Sequence, residues 1–203
     1  MSVAVPYSTT YPNGQTLVSS ALTLTQIQQL MQTLTCGVLG INPPDYSKVR
    51  VDWQTEGQPF QNAKYDICYI ACAPKEEYYN KVRDRTYSGT DVVTETWVFT
   101  KGWHIAWVLY GPNSSTNAQR LWDALFMDYF NDQLSLSALY PIPDPPEPTR
   151  MPENINAQWF ERADFYIDMY EQVTETINDG AVTSVEIKIL DKDGQVADFT
   201  VTK

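Results

Sequence analysis

The segment around which the predicted core is organised runs from Asp91 to Asn131 and reads DVVTETWVFTKGWHIAWVLYGPNSSTNAQRLWDALFMDYFN. On both sides of Lys101-Gly102, apolar and aromatic residues recur at every second position, which is the period of a β-strand. We therefore predict two neighbouring strands joined by a turn at Lys101-Gly102. The residues that share strand faces are Val93, Glu95, Trp97 and Phe99, then Trp103, Ile105, Trp107 and Leu109.

The second half of this segment predicts an amphipathic helix. Pro112 cannot donate to a sheet, and Asn113, Ser114 or Ser115 can cap the helix that follows. Apolar residues then recur at i, i+3, i+4 and i+7 and give one broad stripe. The stripe consists of Ala118, Leu121, Trp122, Leu125, Phe126 and Tyr129. A strand pair beside such a helix predicts an α+β core, and the segment contains no catalytic motif.

Composition limits the classes of function. The chain has 203 residues, and its 43% hydrophobic content is ample for a packed core. Lys and Arg number 14 against 25 Asp and Glu, so the net charge is −11. Such a charge argues against gripping DNA phosphates, because duplex binding relies on basic side chains. An acidic surface that repels DNA instead suits a conduit.

The cysteine count and the hydropathy pattern indicate the compartment. Three cysteines make an odd count and no disulfide framework, which favours a reducing compartment. We find neither a signal peptide nor an apolar run of the ~20 residues that a membrane span needs. We therefore expect a soluble protein that is intracellular when made.

The remaining elements follow from periodicity and turn residues. We predict an extended N-terminal arm over residues 1–20 and a single α+β domain over residues 21–203. The sheet is expected to be mixed but mostly antiparallel, with two main helices packed on one face. Within the domain we predict a helix near Leu24–Cys36, capped by Thr23 and stopped at Gly37. Strands are predicted at Val49–Trp53 and at Tyr65–Ala73, the second stopped by Pro74, and they are followed by a projecting loop over 75–91. A proline-rich connector over 140–152 leads to a long strand at Gln158–Thr176, a turn at Asn178-Asp179-Gly180 and a terminal hairpin over 182–201.

Residues of the kinds used in catalysis or metal binding are present, but none forms a convincing set. His104 is the single histidine and lies in a Trp-rich strand, so it is more often a structural residue than a base. Cys68 and Cys72 share a strand face, yet zinc needs about four ligands. Asp191-Lys192-Asp193-Gly194 lacks the closing glutamate of a calcium loop. We therefore predict no enzyme, no metal site and no cofactor.

One enzymatic or sugar-binding alternative remains open. Asp164 and Asp168 share a strand face, and paired carboxylates flanked by aromatic residues can hydrolyse glycosides. The tryptophans offer a platform for a sugar, although at strand and helix spacing they are more often core or interface anchors. These tryptophans are Trp97, Trp103, Trp107, Trp122 and Trp159.

Three stretches together resemble a known family. Val51-Asp52-Trp53-Gln54-Thr55-Glu56-Gly57-Gln58-Pro59 resembles its W-x-T-x-G-Q-P segment, and Tyr110-Gly111-Pro112 with Ala118 resembles its YGP…A junction. Pro148-Thr149-Arg150-Met151-Pro152-Glu153 followed by Gln158-Trp159-Phe160-Glu161-Arg162-Ala163-Asp164 resembles its P-x-R-x-P-E…Q-W-x-E-R-x-D segment. In this order, over about Val49 to Val173, the chain is similar to bacteriophage neck or tail terminator proteins.

The resemblance implies a mixed sheet with helices packed on it and a ring, typically a hexamer, at the head-proximal end of a tail tube. Such a ring stops polymerisation of the tail tube protein and joins the tail to the head-completion or connector proteins, with the sheath protein as a further candidate partner. Duplex DNA passes through its lumen without specific binding, and no membrane is involved. The protein is then a virion component assembled in the bacterial host cytoplasm.

Candidate residues follow from charge and residue type. An acidic strand face is the lumen candidate, formed by Glu161, Asp164, Asp168 and Glu171. Arg and Trp dominate interface hot spots, so the candidates for contacts with a neighbouring subunit or the tail tube are Tyr79, Lys81, Arg83, Arg85, Tyr87, Arg150, Trp159 and Arg162. Each set has a plainer alternative: the acidic face is outer surface, the loop is mobile, and Arg162 pairs with Asp164 or Glu161 within one subunit.

Rival functions come from two other classes. One is a different virion component, such as another neck or a baseplate protein, which would bind other structural proteins and leave tail length unchanged. The other is a monomeric carbohydrate-binding or glycosidase-type domain, which would change its tryptophan fluorescence when a glycan is added.

Overall fold

The computed structural model describes residues 7–12, 14–42, 44–51, 64–89, 92–155, 157–180, 184–190 and 196–202. The helices are α1 (Leu24–Leu39), α2 (Ser114–Ala124) and α3 (Asp128–Ser135). The strands are β1 (Tyr7–Thr10), β2 (Thr16–Ser19), β3 (Val49–Val51), β4 (Ile67–Lys75), β5 (Asp84–Ser88), β6 (Val92–Tyr110), β7 (Leu139–Pro141), β8 (Thr149–Arg150), β9 (Glu153–Ile155), β10 (Gln158–Phe160), β11 (Arg162–Gly180), β12 (Ser184–Leu190) and β13 (Val196–Thr202).

Two strands of 19 residues, β6 and β11, form the centre of the sheet and pair antiparallel along their whole length. The predicted turn at Lys101-Gly102 is therefore wrong, because the chain continues straight through both residues. Glycine at position 102 is explained by a close contact instead of a turn, because a Cβ there would lie 2.7 Å from the carbonyl oxygen of Lys75 on β4. The predicted turn at Asn178-Asp179-Gly180 is wrong as well, since these residues still pair with β6.

Because β6 is one strand, the two sets of residues predicted on separate strand faces lie on the same face. The buried members of that face are Phe99, Trp103, Ile105, Trp107 and Leu109. Its central contact is a stack between the rings of Trp107 and Phe165, with centroids 4.8 Å apart.

Both edges of the central pair are extended by further strands. The order across the sheet is β1-β2-β11-β6-β4-β3, and β5 pairs with β6 beside the end where β4 is absent. Among the described strand pairs only β3 and β4 run parallel, so the sheet is mixed but mostly antiparallel, as predicted. Strand β4 runs through Pro74 to Lys75 instead of stopping at Pro74. Pro74 lies beyond the stretch that pairs with β3, where a missing amide donor is tolerated.

The N-terminal residues 7–19 differ from the predicted arm. They form the hairpin β1–β2, and β2 pairs antiparallel with residues 175–177 of β11. Strands β7 and β8 of the proline-rich connector pair with the same edge of β11 at residues 169–171 and 163–164. The connector is thus extended, as its prolines predict, but three short segments cover one edge of β11 from end to end.

The helices α1 and α2 pack against the sheet and each other, which gives the predicted α+β class. Thr23 and Gln26 form a capping box at the start of α1, so the predicted cap is confirmed. The predicted stop at Gly37 is wrong, because α1 continues to Leu39 and ends at Gly40 with φ 74°. Trp107 on β6 donates from Nε1 to Oγ1 of Thr35 at 3.0 Å and ties α1 to the sheet.

The single helix predicted after Pro112 is two helices. The apolar positions fall out of helical phase after Leu125, because the next buried residues are Phe130 and Leu134, and the chain turns between α2 and α3 so that both are buried. Phe126 and Tyr129, which were predicted on the stripe, are exposed. Asn113 is the N-cap of α2, as predicted, but its side chain binds Asp66 instead of the helix.

The predicted terminal hairpin is present as β12 and β13, which pair with each other. The predicted projecting loop contains a 3₁₀ turn over Tyr78–Lys81 and then strand β5. Strand β3 ends at Val51. The rest of the predicted strand and of the W-x-T-x-G-Q-P segment lies outside the described residues, as does the turn over residues 191–195.

Candidate interaction surfaces

The side of the sheet opposite α1 and α2 presents alternate residues of β4, β6 and β11, and we call it the outer face. Its residues alternate with the buried ones that contact the helices, so they point the other way. The outer face consists of Tyr69, Ala71, Lys75, His104, Ala106, Val108, Tyr110, Arg162, Asp164, Tyr166, Asp168 and Tyr170. Most are half-buried, and aromatic and small residues form its centre with charged groups toward both ends.

Arg162 organises the charged group at one end of the outer face. Its Nη2 donates to Oδ2 of Asp164 at 2.6 Å, and its Nη1 donates to Oε2 of Glu153 at 2.9 Å. The hydroxyl of Tyr110 donates to the same Oε2 of Glu153 at 2.6 Å. The alternative that Arg162 pairs with Asp164 within one subunit is therefore confirmed.

These contacts shift the ionisation of each member of the group. The hydrogen bonds that Arg162 donates to Asp164 and then to Glu153 raise the pKa of its guanidinium against the effect of burial. The Tyr110 hydroxyl and then the Arg162 guanidinium lower the pKa of Glu153. Burial, followed by the bond to Glu153, raises the pKa of Tyr110. Arg162 and Glu153 are thus held charged while Tyr110 stays neutral, so the group is a fixed ion pair network.

Asp168 organises the charged group toward the other end of the outer face. It accepts from Nζ of Lys75 at 2.6 Å, and its other oxygen lies 2.7 Å from Nδ1 of His104. Lys75 also contacts Glu77 at 2.6 Å. Burial opposes ionisation of Asp168, but the bonds from Lys75 and His104 outweigh it and lower the pKa of its carboxyl. The ring of His104 also packs against the ring of Tyr166, with centroids 4.9 Å apart.

The four residues predicted as one acidic face do not lie together. Asp164 and Asp168 share the outer face, as predicted, and each is paired with a cation. Glu161 precedes β11, is exposed, and pairs with Arg150. Glu171 is only 1% exposed and points into the core on the opposite side of the sheet. Period-two alternation places an odd-numbered residue of β11 on the core side, which is the physical reason for this difference.

The predicted contact segment around β5 is held against the sheet. The guanidinium of Arg83 lies 3.5 Å from the centroid of Phe99, and that of Arg85 lies over Trp97 and contacts Glu95. The hydroxyl of Tyr87, which is 61% exposed, accepts a bond from Arg85.

Two further contact candidates, Lys81 and Trp159, are exposed on the surface. Lys81 pairs with Glu76 at 3.3 Å on the surface. Trp159 on β10 is 69% exposed. The side chain of Tyr79 lies outside the part of the chain that the structure describes.

The residues considered for catalysis or metal binding are dispersed or buried. Burial raises the pKa of the Cys72 thiol to about 12, and it also raises the pKa values of Cys36 and Cys68. Within the described ranges, no group of three or more His, Cys, Asp or Glu side chains is arranged to hold a metal ion. Among the described helices, none is long and apolar enough to cross a membrane.

Sequence reasoning anticipated the pairing of Arg162 with Asp164 but missed the partners that lie far apart in the chain. Lys75 and Asp168 are 93 positions apart, and Tyr110 and Glu153 are 43 apart, so no local pattern connects them. The register of the strands brings Lys75 and Asp168 together: Asp168 on β11 is directly opposite His104 on β6, and Lys75 on β4 lies two residues further along, opposite Gly102.

The fold and these surfaces define an α+β domain with one side of its sheet covered by helices and an outer face carrying fixed ion pairs. A family model described as phage neck terminator protein matches residues 25–194. The chain therefore belongs to the phage neck terminator protein family, and the resemblance in the sequence is confirmed. Membership makes it a structural virion protein of the bacteriophage neck that associates with other tail or head proteins. A comparison with curated proteins finds no match.

Proposed function

We propose that this protein forms a closed ring, a hexamer, that caps the tail tube, stops its polymerisation and joins the tail to the head-completion or connector proteins. The observation that carries the proposal is the family match over residues 25–194. The tail tube protein and the connector protein are the proposed partners, with the sheath protein as a further one. The ring assembles in the bacterial host cytoplasm before it becomes part of the virion.

We further propose that the outer face lines the lumen through which duplex DNA passes. A DNA conduit must not bind phosphates, and a net charge of −11 supports this requirement over the whole subunit. On the outer face itself, Lys75 and Arg162 are the cations, and both are bound to carboxylates at 2.6 Å. Each cation is therefore already neutralised before a phosphate approaches.

Contacts with neighbouring subunits or the tail tube are proposed for the exposed candidates. Trp159 offers a large exposed ring, and Arg150 is exposed while its guanidinium makes two bonds with Glu161. The exposed residues around β5 add charge and an aromatic side chain: Lys81, Arg85 and Tyr87. A closed ring needs two different, complementary patches on each subunit, and these candidates lie on separate elements.

The sugar-binding alternative receives little support from the described residues. Trp103 and Trp107 are buried, and Trp97 lies beneath Arg85. Asp164 and Asp168 are both bound to cations, which leaves neither carboxyl placed to protonate a glycosidic oxygen. Another neck or baseplate role is the alternative that the ring experiment below distinguishes.

The test is the solution mass of the purified protein by light scattering, with negative-stain imaging of the same sample. The experiment is then repeated with tail tubes assembled from the cognate tube protein. The proposal predicts rings with a central channel, either free or on tube ends, and tubes that stop growing when the protein is added. A monomer that leaves tube length unchanged and binds no tube end would overturn it.

A further inference from the structure

One row of residues crosses five neighbouring strands of the sheet, from β1 to β5. The row runs through Ser8, Val18, Thr176, Thr96 and Thr86, each paired with the next. Strands β1 and β5 therefore lie at the same height on opposite edges of the sheet. Within the described residues, β1 pairs only with β2 and β5 pairs only with β6, so each has one unpaired side.

We propose that β1 of one copy pairs with β5 of the next copy, which makes the sheet continuous around the assembly. This inference rests on the proposed ring and identifies which edges join its subunits. A head-to-tail interface needs two different surfaces on each subunit, and two dissimilar sheet edges satisfy that requirement. Strand addition at an open edge is an established mode of protein recognition.

The direction of the strands is compatible with such a closed sheet. Each neighbouring pair between β1 and β5 is antiparallel, and there are four such pairs, so β1 and β5 run in the same direction. In a ring whose symmetry axis runs along the strands, the rotation that relates one copy to the next preserves the strand direction. The pairing of β1 with a neighbour's β5 is therefore parallel.

Strand β1 lacks the usual protection against pairing, whereas β5 carries two charged residues, Asp84 and Arg85. Natural edge strands are blocked by lysines, prolines or bulges, whereas β1 reads Tyr-Ser-Thr-Thr and has no charge. On β5 the guanidinium of Arg85 folds back onto Trp97 and Glu95, away from the open side. All four residues of β1 and all five of β5 are exposed, and the two edges are similar in length.

The outward-pointing amides of β1 can be assigned from its hairpin. Tyr11 donates its backbone N–H to the carbonyl of Gln15 across the hairpin at 2.8 Å. Because hydrogen-bonded residues alternate along an antiparallel pair, Tyr7 and Thr9 bond inward to β2, while Ser8 and Thr10 point outward. Ser8 therefore offers an unused donor at the edge, and proline at this position removes it without breaking a bond within the hairpin.

The first test compares Ser8→Pro with Ser8→Thr, which keeps the amide and favours a strand. Assembly is measured by light scattering across a concentration series, both alone and with cognate tail tubes, and circular dichroism checks the fold. We expect Ser8→Thr to assemble as the unsubstituted protein does. Ser8→Pro should need a roughly tenfold or higher concentration for half-assembly, since each interface loses a hydrogen bond.

The second test reports on the pairing itself and does not depend on the proline variant folding. The double variant Ser8→Cys with Thr86→Cys is treated with a short bismaleimide, and Ser8→Cys with Ser115→Cys, which places the second thiol on α2, is the matched control. We expect a ladder of linked copies for the first variant and none for the control.

The outcomes separate this inference from the ring itself. Rings that tolerate Ser8→Pro and show no link between positions 8 and 86 would overturn the edge pairing and leave the ring proposal standing. If the unsubstituted protein forms no ring, either alone or on tubes, both proposals fail.

Discussion

Glu171 on β11 accepts a hydrogen bond from Nε1 of Trp103 on β6 at 2.7 Å, deep inside the core. The other oxygen of the same carboxylate accepts the backbone amide of Leu22, which lies just before α1. The glutamate is 1% exposed and the tryptophan 5% exposed. One buried carboxylate thus connects the two central strands to the N-terminal segment.

We expect Glu171→Ala to destabilise the fold by about 2–4 kcal/mol, because two buried donors lose their acceptor. For a chain of this length the midpoint of thermal unfolding should fall by roughly 5–15 °C. Glu171→Gln should be intermediate, since its amide nitrogen cannot accept a bond. Gln172→Ala, at the next and exposed position, is the control and should change the midpoint little. An unchanged midpoint for Glu171→Ala would contradict a structural role for this contact.

The two arginines that pair with carboxylates around β11 should differ in their contribution to stability. The side chain of Arg162 is 25% exposed and binds two carboxylates, so Arg162→Ala should cost about 1–3 kcal/mol of unfolding free energy. The side chain of Arg150 is 62% exposed, so solvent screens its pair with Glu161 and Arg150→Ala should cost less than Arg162→Ala. Urea denaturation of both variants measures the difference. Equal losses of unfolding free energy would show that burial does not decide how much each arginine contributes.

Stability should fall at acid pH because of Asp168 and Glu153. The pKa values of both carboxyls are lowered in the fold, so their stabilising effect is complete above the unfolded values of roughly 4. It is lost as the pH falls through the folded values. Urea midpoints at pH 7, 5 and 3.5 should therefore drop mainly in the last interval. Asp168→Asn should be less stable than the unsubstituted protein at pH 7 and should lose less stability between pH 5 and 3.5. If the stability of both proteins depends on pH in the same way, the role given to Asp168 is wrong.

Two glycines should respond oppositely to alanine. At Gly102 a Cβ would lie 2.7 Å from the carbonyl oxygen of Lys75, so Gly102→Ala must push β4 away and should destabilise by about 1–3 kcal/mol. At Gly37, inside α1, a Cβ meets nothing within 4 Å, and Gly37→Ala should stabilise by about 0.5–1 kcal/mol. Thermal unfolding of both variants tests this, and the same sign at both positions would refute the explanation given for Gly102.

The lumen proposal can be tested by adding a positive charge to the outer face. Tyr166 lies between Asp164 and Asp168 and is 44% exposed. Tyr166→Lys adds a third cation to that face and should slow DNA ejection severalfold at low salt, with recovery at high salt. Tyr129→Lys on α3 is the control, because that side chain is 63% exposed on another surface. Ejection is followed by the fluorescence of a dye that binds released DNA. Normal ejection by assembled Tyr166→Lys particles would remove the lumen assignment.

The parts of the fold that local pattern dictates were predicted correctly. The helix cap at Thr23, the alternation of Phe165 and Ile167 with Asp164 and Asp168, and the α+β class all depend on residues close together in the chain. The two wrong turns occurred where a distant strand outweighs a local turn signal. Gly102 and Asn178-Asp179-Gly180 have turn composition, yet each lies in a strand because β6 and β11 pair without interruption.

The sequence by itself determined the class of fold, the acidic balance, the amphipathic helices and, through its motifs, the family to which this protein belongs. Only the tertiary structure decided that Glu171 is buried, that Lys75 neutralises Asp168, and that β1 and β5 lie at one height on opposite edges. The physical reason is that periodicity assigns a residue to a face, whereas the register between strands decides which distant charge or backbone group it meets there.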